Sequence, residues 1–420
     1  MVVAALASRP QGSIISRVFL GMWIMRGGGA TASGSFSSRT ACPVCSMTRV
    51  GGPVNKEQEA EGPPLLWFVR TKGYFMQYVK LGHSGLDVSP ICIGAMTYGE
   101  PSRGHPVWSL DEEASRPLIR NAIEQGINFF DTANAYSQGS SEEILGRALK
   151  DFANRDDVVI ATKLRHAMRP GPNGAGLSRK AVMAEIDHSL RRLGTEYVDL
   201  YQIHRADPTT PWEETLEALH DLVKGGKVRY VGASSMRAWE FSKALHLQKA
   251  NGWARFISMQ DHYNLLARGE EREMLPLCAD EGVGTIVWSP LARGRLTRPW
   301  GESTGRSESD PFADILYDAN TASDQLIAEA LGEVAAARGV SRAHVALAWL
   351  RRNPVVVAPI VGASKTSHID DAVGSLGINL TDEEAAKLEK PYTPRYDQNV
   401  SDPAELARIS AQIGIKPAGA

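Results

Sequence analysis

The chain has 420 residues, of which 43% are hydrophobic, 22% charged and 7% aromatic, with a formal net charge of -2. This is the composition of a soluble globular protein, and its near-zero net charge argues against a nucleic-acid or membrane-surface protein. No run of about 18 apolar residues offers a membrane span.

Residues 1–75 differ from the rest. Five arginines (Arg9, Arg17, Arg26, Arg39, Arg49) and many hydroxyl residues precede the first acidic residue, Glu57. Acid-poor, Arg- and Ser-rich composition is that of an organelle transit peptide. A disordered tail, or an upstream extension outside the working protein, is the favoured reading, with Met76 opening the folded pattern. Cys42-Pro-Val-Cys45 lies in this stretch without a second pair and reads as chance spacing. The other two cysteines, Cys92 and Cys278, sit in apolar runs. No disulfide framework follows, and a reducing, cytoplasmic setting fits.

From Met76 to Pro391 the pattern alternates strand and helix, before a tail over 392–420. Residues 77–88 predict a hairpin turning at His83-Ser84-Gly85. Eight apolar runs then predict buried parallel strands: Ile91–Met96, Ile127–Asp131, Val158–Lys163, Val198–His204, Val228–Ser234, Ile257–Gln260, Gly284–Ser289 and Val355–Gly362. Helical patterns lie between them. Four carry the capping-box spacing, starting at Ser109, Ser140, Thr210 and Thr381, each with Glu three residues on. Pro211 is expected at the first helical position of the third. Helices are also expected over 179–193 and 341–352. Eight βα units predict a single-domain α/β fold, a (β/α)8 TIM barrel. The rival, a doubly wound sheet, would place GxGxxG after its first strand, and Gly94-Ala-Met-Thr-Tyr-Gly99 lacks that spacing.

The barrel directs attention to the strand C-termini, where active sites of this architecture lie. Reading them in order gives Asp131, Lys163, His204, Ser234, Gln260, Ser289 and the run Gly362-Ala-Ser-Lys365. Tyr136 follows Asp131 after a turn of small residues. Four of these make chemical sense together. A tyrosine hydroxyl is a weak acid, with a pKa of about 10. A lysine ammonium beside it stabilises the phenolate and is expected to lower that pKa, while an aspartate holds the lysine charged. A neutral histidine donates to a carbonyl oxygen. The set suits protonation of an oxygen that gains charge during carbonyl reduction. No Cys/His cluster has metal-ligand spacing, so no metal is expected.

At this point the chain resembles the aldo-keto reductase family, in its aryl-alcohol-dehydrogenase-like branch, from about Met76 to about Pro391. The resemblance rests on GINFFDTANAYSQGSSEEILG, VVIATK, SLRRLGTEYVDLYQIHR, GKVRYVGASS, EREMLPLC, WSPLARG and APIVGASK. It implies NADPH-dependent reduction of a small-molecule aldehyde or ketone, with Tyr136, Lys163, Asp131 and His204 as the catalytic tetrad. It also implies that Ser234 and Gln260 hydrogen-bond the nicotinamide carboxamide and that Trp288 offers its ring for stacking. Ser289, Pro290, Leu291, Arg293 and Gly294 would follow the pyrophosphate, and Gly362, Ser364, Lys365 and His368 would lie near the adenosine end. Gly94, Ala95, Met96, Asp131 and Ser235 would line the same cleft. Three positions depart from the family pattern. Ser235 replaces a common asparagine, Ala372 replaces an asparagine at the adenine (a contact then either missing or supplied by Asp371), and Ser137 replaces a frequent glycine.

Substrate choice belongs to the loops. Tyr98 and Trp108, with Tyr136 and His204, are expected to contact the substrate. The two tryptophans Trp108 and Trp288 suit a flat or aromatic compound, whereas Arg103, Arg165, Arg169 and Arg205 suit a phosphorylated or carboxylated one. The Gly/Pro-rich run 168–179 either wraps a ligand or simply turns. The long stretch 292–322 is expected to cover the pyrophosphate, and the tail with Tyr392, Arg395 and Tyr396 to reach the rim. A second reading of the whole is an NADPH-binding regulatory subunit with little turnover. The oligomeric state is not encoded in any of these features.

Overall fold

Each of the eight apolar runs becomes a strand in the computed structural model, and the strands close on one another into a parallel barrel. The structure describes residues 68–395 apart from 72–73, 105, 305–308, 311–312, 314–315 and 318–319, and side chains from Met76 onward. Cys42, Cys45, the candidate targeting stretch before residue 68 and Tyr396 lie outside the described residues.

Two antiparallel hairpins precede the barrel. The first pairs β1 (Phe68–Thr71) with β2 (Tyr74–Gln77), so the boundary expected at Met76 falls inside a strand. The second pairs β3 (Val79–Lys80) with β4 (Asp87–Val88) around the expected turn. The barrel strands are β5 (Cys92–Gly94), β6 (Phe129–Asp131), β7 (Val159–Leu164), β8 (Val198–Ile203), β9 (Val228–Ser234), β10 (Phe256–His262), β11 (Gly284–Trp288) and β12 (Val356–Val361), with β12 pairing back onto β5. Around them run α1 (Glu112–Glu124), α2 (Ser140–Phe152), α3 (Arg179–Leu193), α4 (Trp212–Lys224), α5 (Ala238–Asn251) and α6 (Met274–Glu281). Then follow α7 (Thr321–Arg338), α8 (Arg342–Leu350), α9 (Thr366–Gly374) and α10 (Asp382–Glu389). Among the described residues no helix is long and apolar enough to cross a membrane.

Side chains alternate across each strand, and the two faces build two separate cores. Residues facing outward, such as Ile93, Phe130, Ile160, Tyr201 and Ile203, pack under the helices. Those facing inward, Cys92, Phe129, Val159, Ala161, Leu200, Ile286, Ala358 and Ile360, fill the barrel. Leu81 and Val88 of the second hairpin join this inner cluster and stop the barrel at its N-terminal end. Gly82 makes that fit possible. Its φ is +58°, and a Cβ there would lie 2.5 Å from the Gly284 nitrogen and 2.7 Å from the Gly282 oxygen. The opposite end of the barrel is where the inward positions turn polar.

Local start signals were less faithful than the strands. Of the four capping boxes only that at Thr381 forms. Asp111, not Ser109, caps α1 by accepting from the Ala114 amide. Gly139 stands at the cap of α2 and Pro211 at that of α4, one residue before the position expected for it. In each case a competing partner takes the hydroxyl or the carboxylate. Ser140 Oγ bonds the Glu100 amide and the Ser137 carbonyl, and Glu143 pairs with Arg103. The first barrel strand is also shorter than expected, because Ala95–Thr97 coils into a 3-10 turn.

Candidate active site

Lys163 is the centre of the polar end. It points inward from β7, wholly buried, and an ammonium has three N–H donors. All three are used: one on the Asp131 carboxylate, one on the Thr132 carbonyl at 3.0 Å and one on the Tyr136 hydroxyl at 3.2 Å. Burial works against the lysine's charge, but Asp131 and Tyr136 outweigh it and hold the pKa above the usual lysine value.

Asp131 is fixed in turn from its other oxygen. Gln202 Nε2 donates to Oδ1 at 3.0 Å and Gln260 Nε2 at 2.9 Å. Gln202 escaped the sequence reading, although its signal was present. Leu200, Gln202 and His204 are spaced by two, so they share the inward face of β8. Gly232 on the neighbouring strand leaves room for it, since a Cβ there would come 3.2 Å from Gln202 Cγ.

Tyr136 departs from the expectation set for it. Its pKa is raised, not lowered: burial of the phenol is the largest influence, and the opposing pull of Lys163 does not overcome it. The lysine's charge is already matched by Asp131, which itself pushes the phenol up. The tyrosine therefore rests protonated at neutral pH. Its ring stands edge-on to His204, with centroids 5.7 Å apart, and His204 stands edge-on to His166 at 4.5 Å. His166 carried no sequence signal beyond following Lys163 by three. Burial, then Lys163, His166 and the two nearby arginines, hold His204 well below the usual histidine range. Burial, Arg165 and Arg205 push His166 down to about 4. Both rings are neutral, and His204 Nδ1 is buried with no hydrogen-bond partner among the described residues.

The backbone that delivers Tyr136 is strained. Ser137, Gln138 and Gly139 run left-handed, with φ of 44°, 48° and 89°. For the two non-glycine residues this costs about 1–3 kcal/mol each. Ser137→Gly is therefore expected to stabilise the protein by about 0.5–1 kcal/mol, the strain relieved less the extra chain entropy of glycine. The urea midpoint at unchanged slope measures it, and a destabilised variant would show that the Ser137 hydroxyl matters more than the strain.

The wall across the barrel is built from β9, β10 and β11. Ser234 Oγ donates to the Gln260 carbonyl at 2.9 Å. Ser235, at φ 48°, accepts the Trp288 indole N–H at 3.1 Å, so this departure from the family pattern anchors the tryptophan. Trp288 lies flat on His262 at 4.1 Å, and His262 Nε2 meets the Tyr317 hydroxyl at 2.7 Å. Neither His262 nor Tyr317 was anticipated. Ser289 reverses the chain at φ 52°, with Asn264 Nδ2 on its carbonyl at 2.8 Å, and the chain runs on through Pro290 and Leu291 to Arg293 and Gly294, at φ 53° and 97°. Arg293 is not a bare cation: Asp310 binds it through two bonds, at 2.6 and 2.9 Å.

After β12, Gly362 lies against Thr97, and the Ser364 amide donates to His368 Nδ1 at 3.3 Å. Lys365 is exposed where α9 begins. Asp371 accepts from Ser341 Oγ at 3.1 Å through one carboxylate oxygen, and its neighbour Ala372 is wholly buried. Gly94 ends β5, Ala95 gives its carbonyl to Ser141, and Met96 is half-buried. Tyr98 does not join the rim. It is wholly buried within the outer core, whereas Trp108 is half-buried.

Of the four arginines, Arg103 pairs with Glu143, and Arg169 folds onto the carbonyls of its own turn, so the 168–179 run closes on itself. Among the described residues Arg165 and Arg205 make no ion pair, and Arg205 Nη1 is buried without a hydrogen bond. Arg395 ties the tail to Asp324 and to the carbonyls of Leu266, Leu316 and Tyr317 rather than reaching freely over the rim.

Fold and site together define a (β/α)8-barrel scaffold with a buried Asp–Lys–Tyr centre and a neutral histidine at one rim. The model of the Aldo/keto reductase family matches residues 90–392. A versiconal hemiacetal acetate reductase of Aspergillus parasiticus is 46% identical over 341 residues, covering 76% of this chain and 98% of its own. An aldo-keto reductase of Alternaria alternata is 42% identical over 365 residues, 81% of this chain and 98% of its own. A putative aryl-alcohol dehydrogenase of Saccharomyces cerevisiae is 39% identical over 340 residues, 76% and 98%. The chain belongs to the aldo/keto reductase family and is an oxidoreductase.

Proposed function

We propose that the protein reduces the carbonyl of an aldehyde or ketone with NADPH, and that Tyr136 supplies the proton. The observation that carries this reading is the Asp131–Lys163–Tyr136 chain, buried beside His204 at the mouth of the barrel. A raised pKa keeps the phenol loaded with its proton. As charge develops on the carbonyl oxygen the proton passes to it, and the Lys163 ammonium is already in place to stabilise the phenolate left behind. Neutral His204 has one N–H with which to orient that oxygen. Asp131, held by two glutamines, keeps the ammonium charged and aimed.

The residues of the facing wall suit a nicotinamide dinucleotide. Trp288 is half-buried, gripped at its N–H and backed by His262, a fixed flat surface. Gln260 has its amide nitrogen committed to Asp131, and its oxygen has no partner among the described residues, so it is free to accept from a carboxamide. When bound, the cofactor supplies the hydride. Lys365 at the start of α9 combines a cation with a helix N-terminus, a setting that favours a 2′-phosphate and hence NADPH over NADH. A flat substrate suits the half-buried Trp108 and Trp288, and relatives named for an aryl alcohol point the same way.

The test is oxidation of NADPH by the full chain against aromatic, aliphatic and phosphorylated carbonyl compounds, with NADH alongside. Turnover is expected with aromatic aldehydes, with kcat/KM at least about tenfold higher for NADPH, a difference of about 1.4 kcal/mol. Tight NADPH binding with no turnover of any compound would replace this reading with the regulatory one.

A further inference from the structure

The reading above needs Tyr136 and Lys163 to meet, yet they come from different βα units and touch at 3.2 Å, the long end of a hydrogen bond. A displacement of a few tenths of an ångström would part them. What fixes the separation lies behind them, on the outer face of the strands.

The first turn of α2 follows Tyr136 and grips three strand ends. Ser141 Oγ donates to the Ala95 carbonyl just past β5 at 2.7 Å and meets Thr132 Oγ1, just past β6, at 2.9 Å. Glu142, wholly buried, accepts from Thr162 Oγ1 on β7 at 2.6 Å. Thr162 is the residue before Lys163 and faces the opposite way. The other oxygen of Glu142 takes Arg192 Nε of α3 at 2.6 Å. That arginine lies over Gly139, where a Cβ would come 2.5 Å from Arg192 Cδ. It thus covers the left-handed run that Tyr136 hangs from. Arg103 holds the Gln138 carbonyl of the same run at 3.0 Å, and Asn134 ties the Asp131–Tyr136 turn to Glu185 of α3 at 3.0 Å.

A buried ion pair is poor evidence of stabilisation in itself, since desolvation offsets most of its attraction. Its use lies in geometry. Glu142, on the helix that follows the tyrosine, binds at once to the strand that carries the lysine and to the arginine that covers the turn between them. We infer that Glu142 and Thr162 are positioning residues, clamping the Tyr136 turn to the Lys163 strand so that the phenol and the ammonium stay in contact.

The inference rests on the reductase reading for its kinetic consequence but not for its structural one, so two measurements are made on the full chain. Thr162→Val removes the link to β7 and keeps the Glu142–Arg192 pair and the side-chain shape. Its kcat for NADPH-dependent reduction is expected to fall at least fivefold, with KM for both substrates within twofold, and Thr162→Ser is expected to restore it. Separately, the 13C-labelled tyrosine ring signal of Tyr136, assigned by its loss in Tyr136→Phe, is followed against pH. In Thr162→Val the phenol is expected to ionise at higher pH than in the wild type, because the ammonium has moved away. A lower melting temperature with unchanged kcat and unchanged titration would overturn the inference and leave Thr162 a packing residue. If the wild type turns over no carbonyl compound while the titration shifts as expected, the clamp stands and the reductase reading fails.

Discussion

Tyr136→Phe is expected to lower kcat by about 10²–10⁴-fold, the usual contribution of a placed general acid, and to leave the dissociation constant for NADPH within about twofold, since no interaction with cofactor is removed. The ring remains, so its edge contact with His204 at 5.7 Å survives. What disappears is the proton and one acceptor. Lys163 has no spare partner for its third N–H, because its other two are committed to Asp131 and Thr132. Leaving that donor unmet inside the protein costs about 1–3 kcal/mol. The variant should therefore melt below the wild type as well as lose turnover. Single-turnover reduction by preloaded enzyme separates chemistry from binding. A kcat near that of the wild type would remove Tyr136 as the proton source.

Asp131→Asn is expected to cost about 3–5 kcal/mol of stability, the range for breaking a buried ion pair from one side, and to abolish turnover. The change is isosteric, so the loss is electrostatic. Both glutamine amides that surround Asp131 present N–H groups to it, as does the lysine. An asparagine amide has one oxygen and one nitrogen. Whichever way it is turned, a donor faces a donor. The sign of the pH dependence follows from Lys163. Its pKa is raised in the folded protein, so the pair's stabilisation is fully present below the unfolded lysine value of about 10.4 and is lost as pH rises through the folded one. In the variant the lysine loses the charge that raised its pKa, and deprotonation becomes favourable on folding. The variant's stability then rises with pH between that lowered folded value and the unfolded one, so the difference in unfolding free energy should shrink as pH rises across this window and shrink further as the wild-type lysine itself deprotonates in strong alkali. Urea titrations at several pH values measure it. Adding Lys163→Met to Asp131→Asn should recover part of the loss, and a double variant less stable than Asp131→Asn would contradict this account.

Most of the fold was legible because buried parallel strands leave unambiguous runs. Val228–Ser234 came out with the ends expected, and a hairpin formed within residues 77–88, although its first strand begins at Val79 and Gln77 pairs in the hairpin before it. Resolution was lost where two partners compete for one group. Ser109, Ser140 and Thr210 have capping chemistry in their sequence, but other contacts in three dimensions claim the same atoms or set the helix start elsewhere. The site divides in the same way. Asp131, Lys163 and Tyr136 could be read because strand-end position alone brings them together. The direction of the Tyr136 shift could not, since it depends on how deeply the phenol is buried. In the sequence Glu142 has the spacing of a helix start, and nothing local marks it as the buried carboxylate it becomes. His262 and Tyr317, 55 residues apart, meet only after the chain has folded.

The hairpin that fills the far end of the barrel has a consequence for traffic. With Leu81 and Val88 seated among Cys92, Phe129 and Ile286, the tube is blind. On the reductase reading proposed above, reactants and products share the opposite end, where Tyr136, His204, His166 and Trp288 gather. The chain keeps its anchorage and its commerce at opposite poles, so the floor can be rebuilt for heat tolerance without crowding the entrance, and the entrance can be recut for new cargo without loosening the floor.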